Sequence, residues 1–120
     1  MTEKLIDFRQ LNVWQKAHRM VLNVYDITKK YPKEERNELV PRMREAAASI
    51  PIKIAQGFMQ RDPRDKEKAY KESQGGLETL KYYCILSIDL EYMKEGDELM
   101  DQVDEIGRML TGLARSVRTP

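Results

Sequence analysis

The feature that most constrains the fold is a predicted helix with a proline at its centre, residues 46–57, AAASIPIKIAQG. An interior proline removes one backbone hydrogen bond and clashes with the preceding turn, which costs about 3 kcal/mol or more. Apolar residues nevertheless keep their three- and four-residue spacing on both sides of Pro51, from Leu39 to Phe58. The pattern therefore predicts one helix that is kinked at Pro51 and continues beyond it.

Three more segments show helical spacing of apolar residues. Pro32 is expected to end the first helix, because the residue before a proline is pushed out of the helical region. Asp62 followed by Pro63 is a typical start for the third helix, with a capping side chain and a proline in the first turn. The predicted helices cover about residues 11–31, 35–60, 63–94 and 97–117.

Long amphipathic helices joined by short connections favour antiparallel neighbours. No segment shows the two-residue alternation of a strand, and 34% charged residues suit a helix-rich globular protein. The 120 residues are long enough for one hydrophobic core. We therefore expect a single all-α domain, residues 1–120, that forms an antiparallel up-down-up-down four-helix bundle.

Residue types that commonly form catalytic and metal sites are rare in this chain. Cys84 is the only cysteine and His18 the only histidine, so the chain has neither a multi-cysteine zinc site nor paired Glu-x-x-His motifs. Gly75-Gly76 lies in a predicted helix, and no phosphate-loop motif surrounds it. The two glycines would serve either close helix packing or a hinge. We predict a protein that is not an enzyme and uses no metal, cofactor or small-molecule substrate.

The chain begins with polar residues and contains no run approaching the roughly 20 apolar residues of a membrane span. We therefore expect a soluble cytoplasmic protein without a membrane partner.

Aromatic and polar residues on the predicted helices also have structural interpretations. Trp14 and Phe8 are predicted to pack in the core, and His18 at its edge. The kink at Pro51 would free the carbonyl of Ala47, which the Ser49 hydroxyl or a water could satisfy. The alternative is that the kink shapes a groove for a ligand or partner.

The second half of the third predicted helix is apolar or aromatic nearly all round, although a small bundle needs only one apolar stripe per helix. This surplus predicts a second buried surface, most simply a subunit interface. The predicted interface residues are Tyr82, Tyr83, Ile85, Leu86, Ile88, Tyr92 and Met93.

Basic residues on the second helix and at the start of the third form a candidate nucleic-acid surface, since phosphate binding needs several cations on one surface. They are Arg42, Arg44, Lys53, Arg61, Arg64, Lys66, Lys68 and Lys71. Acidic residues are interleaved with them, and the net charge over residues 61–72 is only +1. The alternative is a solvated face with helix-spaced ion pairs, such as Asp65 with Lys68 and Glu67 with Lys71.

Three blocks of the sequence resemble a known family. They are FRQLNVWQKA at residues 8–17, YPKEE at residues 31–35 and REAAASIPIKIAQG at residues 44–57. In order and spacing they resemble the signature blocks of the four-helix proteins encoded in intervening sequences of bacterial 23S rRNA genes. The chain departs from that pattern at Lys53, Gln56, Pro41 and Met43, where other residues are usual, whereas Arg44 matches it.

The resemblance implies a ring-like homopentamer. The family that this chain resembles also includes the accessory variability determinant of diversity-generating retroelements. That relative is strongly basic, partners a reverse transcriptase and binds nucleic acid. The expected function is a non-catalytic homo-oligomeric interaction protein that contacts structured RNA or a nucleic-acid-processing enzyme. The alternative is a structural or protein-binding homo-oligomer without a nucleic-acid role.

Overall fold

The computed structural model describes residues 7–118, and this part of the chain contains four long α-helices and no β-strand. A short 3₁₀ turn precedes the first long helix, and a second one precedes the next. The long helices are α1 (Asn12–Thr28), α2 (Leu39–Met59), α3 (Pro63–Asp89) and α4 (Glu98–Arg118), and the turns are Phe8–Gln10 and Lys33–Glu35. The all-α class with four helices is thus confirmed.

Two helices end earlier than their sequence patterns predict. The first was expected to reach residue 31 and ends at Thr28. The third was expected to reach residue 94 and ends at Asp89, because Glu91 adopts a positive φ of 65° and the Ser87 carbonyl accepts the Tyr92 N–H at 2.8 Å. A residue in this left-handed conformation cannot continue a right-handed helix.

Helix α2 continues through Pro51, whose side chain is buried. The Ser49 hydroxyl donates a hydrogen bond of 2.6 Å to the carbonyl of Ala46. Of the two partners predicted for the Ala47 carbonyl, the Ser49 hydroxyl is therefore wrong, because this serine bonds to the carbonyl three positions back.

The core is formed by one stripe from each helix. On α3 the buried stripe runs from Tyr70 to Ser87 in three- and four-residue steps. On α1 the buried stripe is Val13, Ala17, Met20, Val24 and Thr28. Trp14, which was predicted to pack in the core, is only half-buried, and His18, predicted at its edge, is exposed, because the buried stripe of α1 lies to one side of them.

Each helix packs against the next in the sequence, and α4 packs against α1. Between α2 and α3, the Ser73 hydroxyl donates to the Ile50 carbonyl at 3.0 Å, and the Ser87 hydroxyl lies 3.6 Å from the Met43 sulfur. The connections between the helices are short: residues 29–38, 60–62 and 90–97. Within residues 7–118, no helix combines the length and apolar character needed to cross a bilayer.

Candidate functional site

Arg44, one of the candidate RNA-binding residues, ties α2 to the end of α1. Its Nε donates to the Thr28 hydroxyl at 3.0 Å, and its Nη2 lies 3.5 Å from the carbonyl oxygen of Tyr25. The guanidinium carbon lies 4.5 Å from the centre of the Tyr25 ring, which is a cation–π distance. Arg44 is therefore engaged within its own chain.

Lys66 is also engaged, at the end of α2. Its ammonium group donates to the carbonyls of Gly57 and Phe58 at 2.8 and 2.9 Å, and it lies 5.7 Å from the centre of the Phe58 ring. Partial burial lowers the pKa of Lys66. This lysine caps a helix C-terminus, where carbonyl groups lack donors within the helix.

Three more of the candidate cations form ion pairs with carboxylates. The N···O distances are 3.6 Å for Arg42–Glu38, 3.2 Å for Lys53–Glu72 and 3.6 Å for Lys71–Glu67. The predicted Glu67–Lys71 pair is thus confirmed. The predicted Asp65–Lys68 pair is not formed among the described residues.

The remaining three candidates, Arg61, Arg64 and Lys68, lie around the α2–α3 connection, and we call them the basic cluster. The Arg64 side chain is 93% exposed and lies 3.6 Å from a carboxylate oxygen of Asp62. Arg61 and Lys68 are exposed, and neither forms a side-chain hydrogen bond or ion pair with any residue in 7–118. Of the eight candidate residues, Arg61 and Lys68 thus have no side-chain hydrogen bond or ion pair within residues 7–118, and Arg64 forms an exposed ion pair with Asp62, the N-cap of α3.

The predicted interface residues divide by exposure. Tyr82 and Ile85 are 59% and 43% exposed and form what we call the α3 patch. Half-buried residues pack against the core: Tyr83, Leu86, Ile88 and Tyr92.

The two interface candidates beyond the end of α3 have contacts within the chain. Met93 is buried in the core. The Tyr92 hydroxyl donates to the Glu35 carboxylate at 2.9 Å, and this hydrogen bond raises the pKa of Tyr92. Helical spacing does not apply to either residue, because α3 ends at Asp89.

A second apolar surface lies between α1, α2 and the first 3₁₀ turn. It is a groove of about 300 Å³, which we call the α1–α2 groove. The Trp14 ring stacks on His18 and meets Phe8 edge to face, with ring centres 5.2 Å apart in each case. The lining residues are Phe8, Trp14, His18, Val21, Ala48, Pro51, Ile52 and Ala55.

Sequence reasoning did not identify this groove as a surface. Trp14 and Phe8 were predicted to lie in the core, yet both are half-buried and line the groove. The feature of the sequence that could have indicated this groove is Pro51, for which a groove-shaping kink was one hypothesis. Pro51 does lie in the groove lining.

The two side chains most suited to nucleophilic or acid–base chemistry have different environments. Cys84 is fully buried in the core, and burial raises the pKa of its thiol to about 12. His18 is exposed in the α1–α2 groove. Across residues 7–118, no group of three His, Cys, Asp or Glu side chains is placed to hold a metal ion.

Comparison with protein families confirms the resemblance carried by the three sequence blocks. No curated protein matches the sequence. The model of the family described as 23S rRNA-intervening sequence protein matches residues 9–112, which include all four helices except the last turns of α4. This chain therefore belongs to the family of 23S rRNA-intervening sequence proteins.

Proposed function

We propose that this chain is a non-catalytic interaction protein that assembles into a homo-oligomer, a pentamer by family resemblance. The observation that supports assembly is the exposure of Tyr82 and Ile85 on a helix whose core stripe is already buried. Exposed aromatic and aliphatic side chains that lie together mark interaction surfaces, and tyrosine is enriched at the energetic centres of interfaces.

We also propose that the four helices run antiparallel in sequence order and that α2 bends at Pro51. Contacts between α2 and α3 support the antiparallel order. Lys66 meets the end of α2, Ser73 meets its middle at Ile50, and Ser87 meets Met43 near its start. The missing N–H of Pro51 supports the bend, because it removes one hydrogen bond from the middle of α2.

The assembly proposal is tested by changing both residues of the α3 patch to aspartate. Tyr82→Asp with Ile85→Asp places two charges in the interface, and a buried unpaired charge strongly disfavours association. We expect light scattering to show a mass that falls from an oligomer to one chain of 14.1 kDa. Leu90→Asp is the matched control, because Leu90 is 45% exposed and outside the patch. A patch variant that keeps the wild-type mass would contradict the proposal.

A second proposed function is contact with structured RNA or a nucleic-acid-processing partner through the basic cluster. Arg61, Arg64 and Lys68 support it because they are exposed cations at one end of α2 and the start of α3. In an oligomer the cluster would be repeated in every subunit. Three phosphate contacts per subunit predict that affinity falls with salt with a log–log slope of about −2 to −3.

The RNA proposal is tested with the Arg64→Glu, Lys68→Glu double variant and a structured RNA. We expect wild-type affinity to fall roughly 20- to 40-fold between about 50 and 200 mM salt, and the double variant to bind more weakly with a smaller slope. The control is Lys29→Glu with Lys30→Glu, which changes net charge equally at the exposed residues that follow α1.

Equal weakening by both double variants would show attraction by net charge alone and contradict a role of the basic cluster. An oligomer that does not bind RNA at low salt would favour the alternative function, a structural or protein-binding homo-oligomer.

A further inference from the structure

Among the described residues, the α1–α2 groove and the α3 patch are exposed apolar surfaces on different helices. The α1–α2 groove is concave and lined by side chains from α1, α2 and the first 3₁₀ turn, with Ile52 51% exposed. The α3 patch consists of two exposed side chains, Tyr82 and Ile85, on one helix. The groove is therefore recessed between three elements, whereas the patch lies on the surface of a single helix.

We propose that the α1–α2 groove receives the α3 patch of a second copy of this chain. The proposal rests on the proposed homo-oligomer and names the surface that the α3 patch would meet. Such a contact is heterologous, since each chain offers its groove to one neighbour and its patch to another. Heterologous contacts build closed rings when the rotation between neighbours closes.

The charge distribution favours this pairing over a self-pairing of either surface. Residues 1–60, which contain the groove, carry 11 basic and 7 acidic side chains, a net charge of +4. Residues 61–120, which contain the patch, carry 10 and 13, a net charge of −3. Groove against groove or patch against patch would bring like-charged halves together, whereas groove against patch brings opposite charges together and favours encounter.

The chemistry of the two surfaces also matches. Among the described residues that line the groove, His18 is the only titratable side chain, so this part of the groove can bury an aliphatic side chain such as Ile85 without leaving a charged carboxylate or ammonium unpaired. Tyr82 has an apolar ring and a hydroxyl that can stay at a wet interface edge. The Trp14 ring, which stacks on His18, provides a flat apolar wall in the groove.

The test uses one variant for each surface and then mixes them. The groove variant is Ile52→Asp, and the patch variant is Tyr82→Asp with Ile85→Asp. Because all three side chains are more than 40% exposed, we expect both variants to fold, which helical circular dichroism and cooperative unfolding would verify. Each variant alone should have the mass of one chain.

In an equal mixture, the intact patch of the groove variant can bind the intact groove of the patch variant. Only one such contact can form between the two variants. We therefore expect a dimer with twice the single-chain mass of 14.1 kDa and no larger oligomer. The control variant Leu90→Asp should keep the wild-type mass.

The outcomes separate this inference from the proposed assembly. A groove variant with the wild-type mass would overturn the groove as the receiving surface and leave the proposed homo-oligomer standing. A mixture that stays at the mass of one chain would overturn the groove–patch pairing. Dissociation by Leu90→Asp would show that any added charge breaks the assembly, and this result would also overturn the groove–patch pairing. A wild-type protein with the mass of one chain would overturn both proposals.

Discussion

Two adjacent glycines in α3 have opposite surroundings. A Cβ atom at Gly76 would lie 2.6 Å from the Ser49 hydroxyl oxygen and 3.2 Å from Cγ1 of Ile50. A Cβ atom at Gly75 would have no neighbour within 4 Å outside its own helix backbone. Of the two interpretations drawn from the sequence, close helix packing is confirmed at Gly76 and does not apply to Gly75.

Alanine substitutions at these two positions should change stability in opposite directions. Gly76→Ala is expected to lower the free energy of unfolding by about 1–3 kcal/mol, because the added methyl forces Ser49 or the helix itself to move. Gly75→Ala is expected to raise it by about 0.5–1 kcal/mol, since alanine is the better helix former. Urea unfolding followed by circular dichroism measures both changes, and a loss of stability at Gly75 would contradict the open space around it.

At the scale of single residues, the sequence shows which side chains are charged but not which groups they contact in the folded chain. The candidate cations were chosen by their charge, and charge does not reveal that Arg44 meets the end of α1 or that Lys66 meets two carbonyls of α2. These partners are brought near by tertiary packing. The Glu67–Lys71 pair could be predicted directly, because it depends on the local spacing of one helix.

At the scale of helices, α2 ends in an unusual way. The last carbonyls of an α-helix have no donors within the helix, and a glycine after the end or water often supplies them. Here Lys66 from α3 donates to two of them, at Gly57 and Phe58. The Gly57 carbonyl also accepts the Gln60 N–H at 3.2 Å, so Lys66 adds to a backbone cap and joins the end of α2 to the first turns of α3.

Replacing this lysine should therefore destabilise the bundle. Lys66→Met keeps most of the aliphatic stem and removes the donor, so we expect the free energy of unfolding to fall by about 1–2 kcal/mol. Lys68→Met is the matched control, because Lys68 is exposed and without a partner in residues 7–118, and its change should stay within about 0.5 kcal/mol. Equal effects in thermal or urea unfolding would argue against the cap.

The existence and order of the helices could be predicted, and so could the start of α3 at Asp62 and Pro63, whereas the C-terminal ends of α1 and α3 could not. Apolar spacing repeats over several turns and averages out local exceptions, as the buried stripe from Leu99 to Leu110 in α4 shows. A helix end depends on one or two residues. The positive φ of Glu91, which stops α3 from continuing to residue 94, has no signature in a glutamate side chain.

At the scale of the whole molecule, Cys84 reports on the integrity of the core. Its thiol is fully buried with a pKa of about 12, against about 8.5 for a free cysteine. A disulfide-exchange reagent attacks the thiolate, so at pH 8 the native protein should react only when the core opens. We expect labelling to be slower than in the urea-unfolded chain by a factor on the order of 10³ or more. Rapid labelling without urea would mean that the helices around Cys84 separate easily.

Surfaces were less predictable than the core. The surplus of apolar residues on α3 predicted a seven-residue interface, of which Tyr82 and Ile85 are exposed, and the same reasoning missed the α1–α2 groove. Trp14 lies at a spacing that suits the core, and the sequence does not reveal how far α1 is rotated about its own axis. A small rotation decides whether such a side chain is buried or lines a groove.

The short connections between the helices have a consequence for the speed of folding. Because each described helix packs against the one that precedes or follows it in the chain, many contacts join neighbouring elements, and the α1–α4 contact closes the longest loop among the four helices. Chains with such low contact order reach the native state in microseconds to milliseconds. A newly made chain would thus spend little time with its apolar stripes open to other chains.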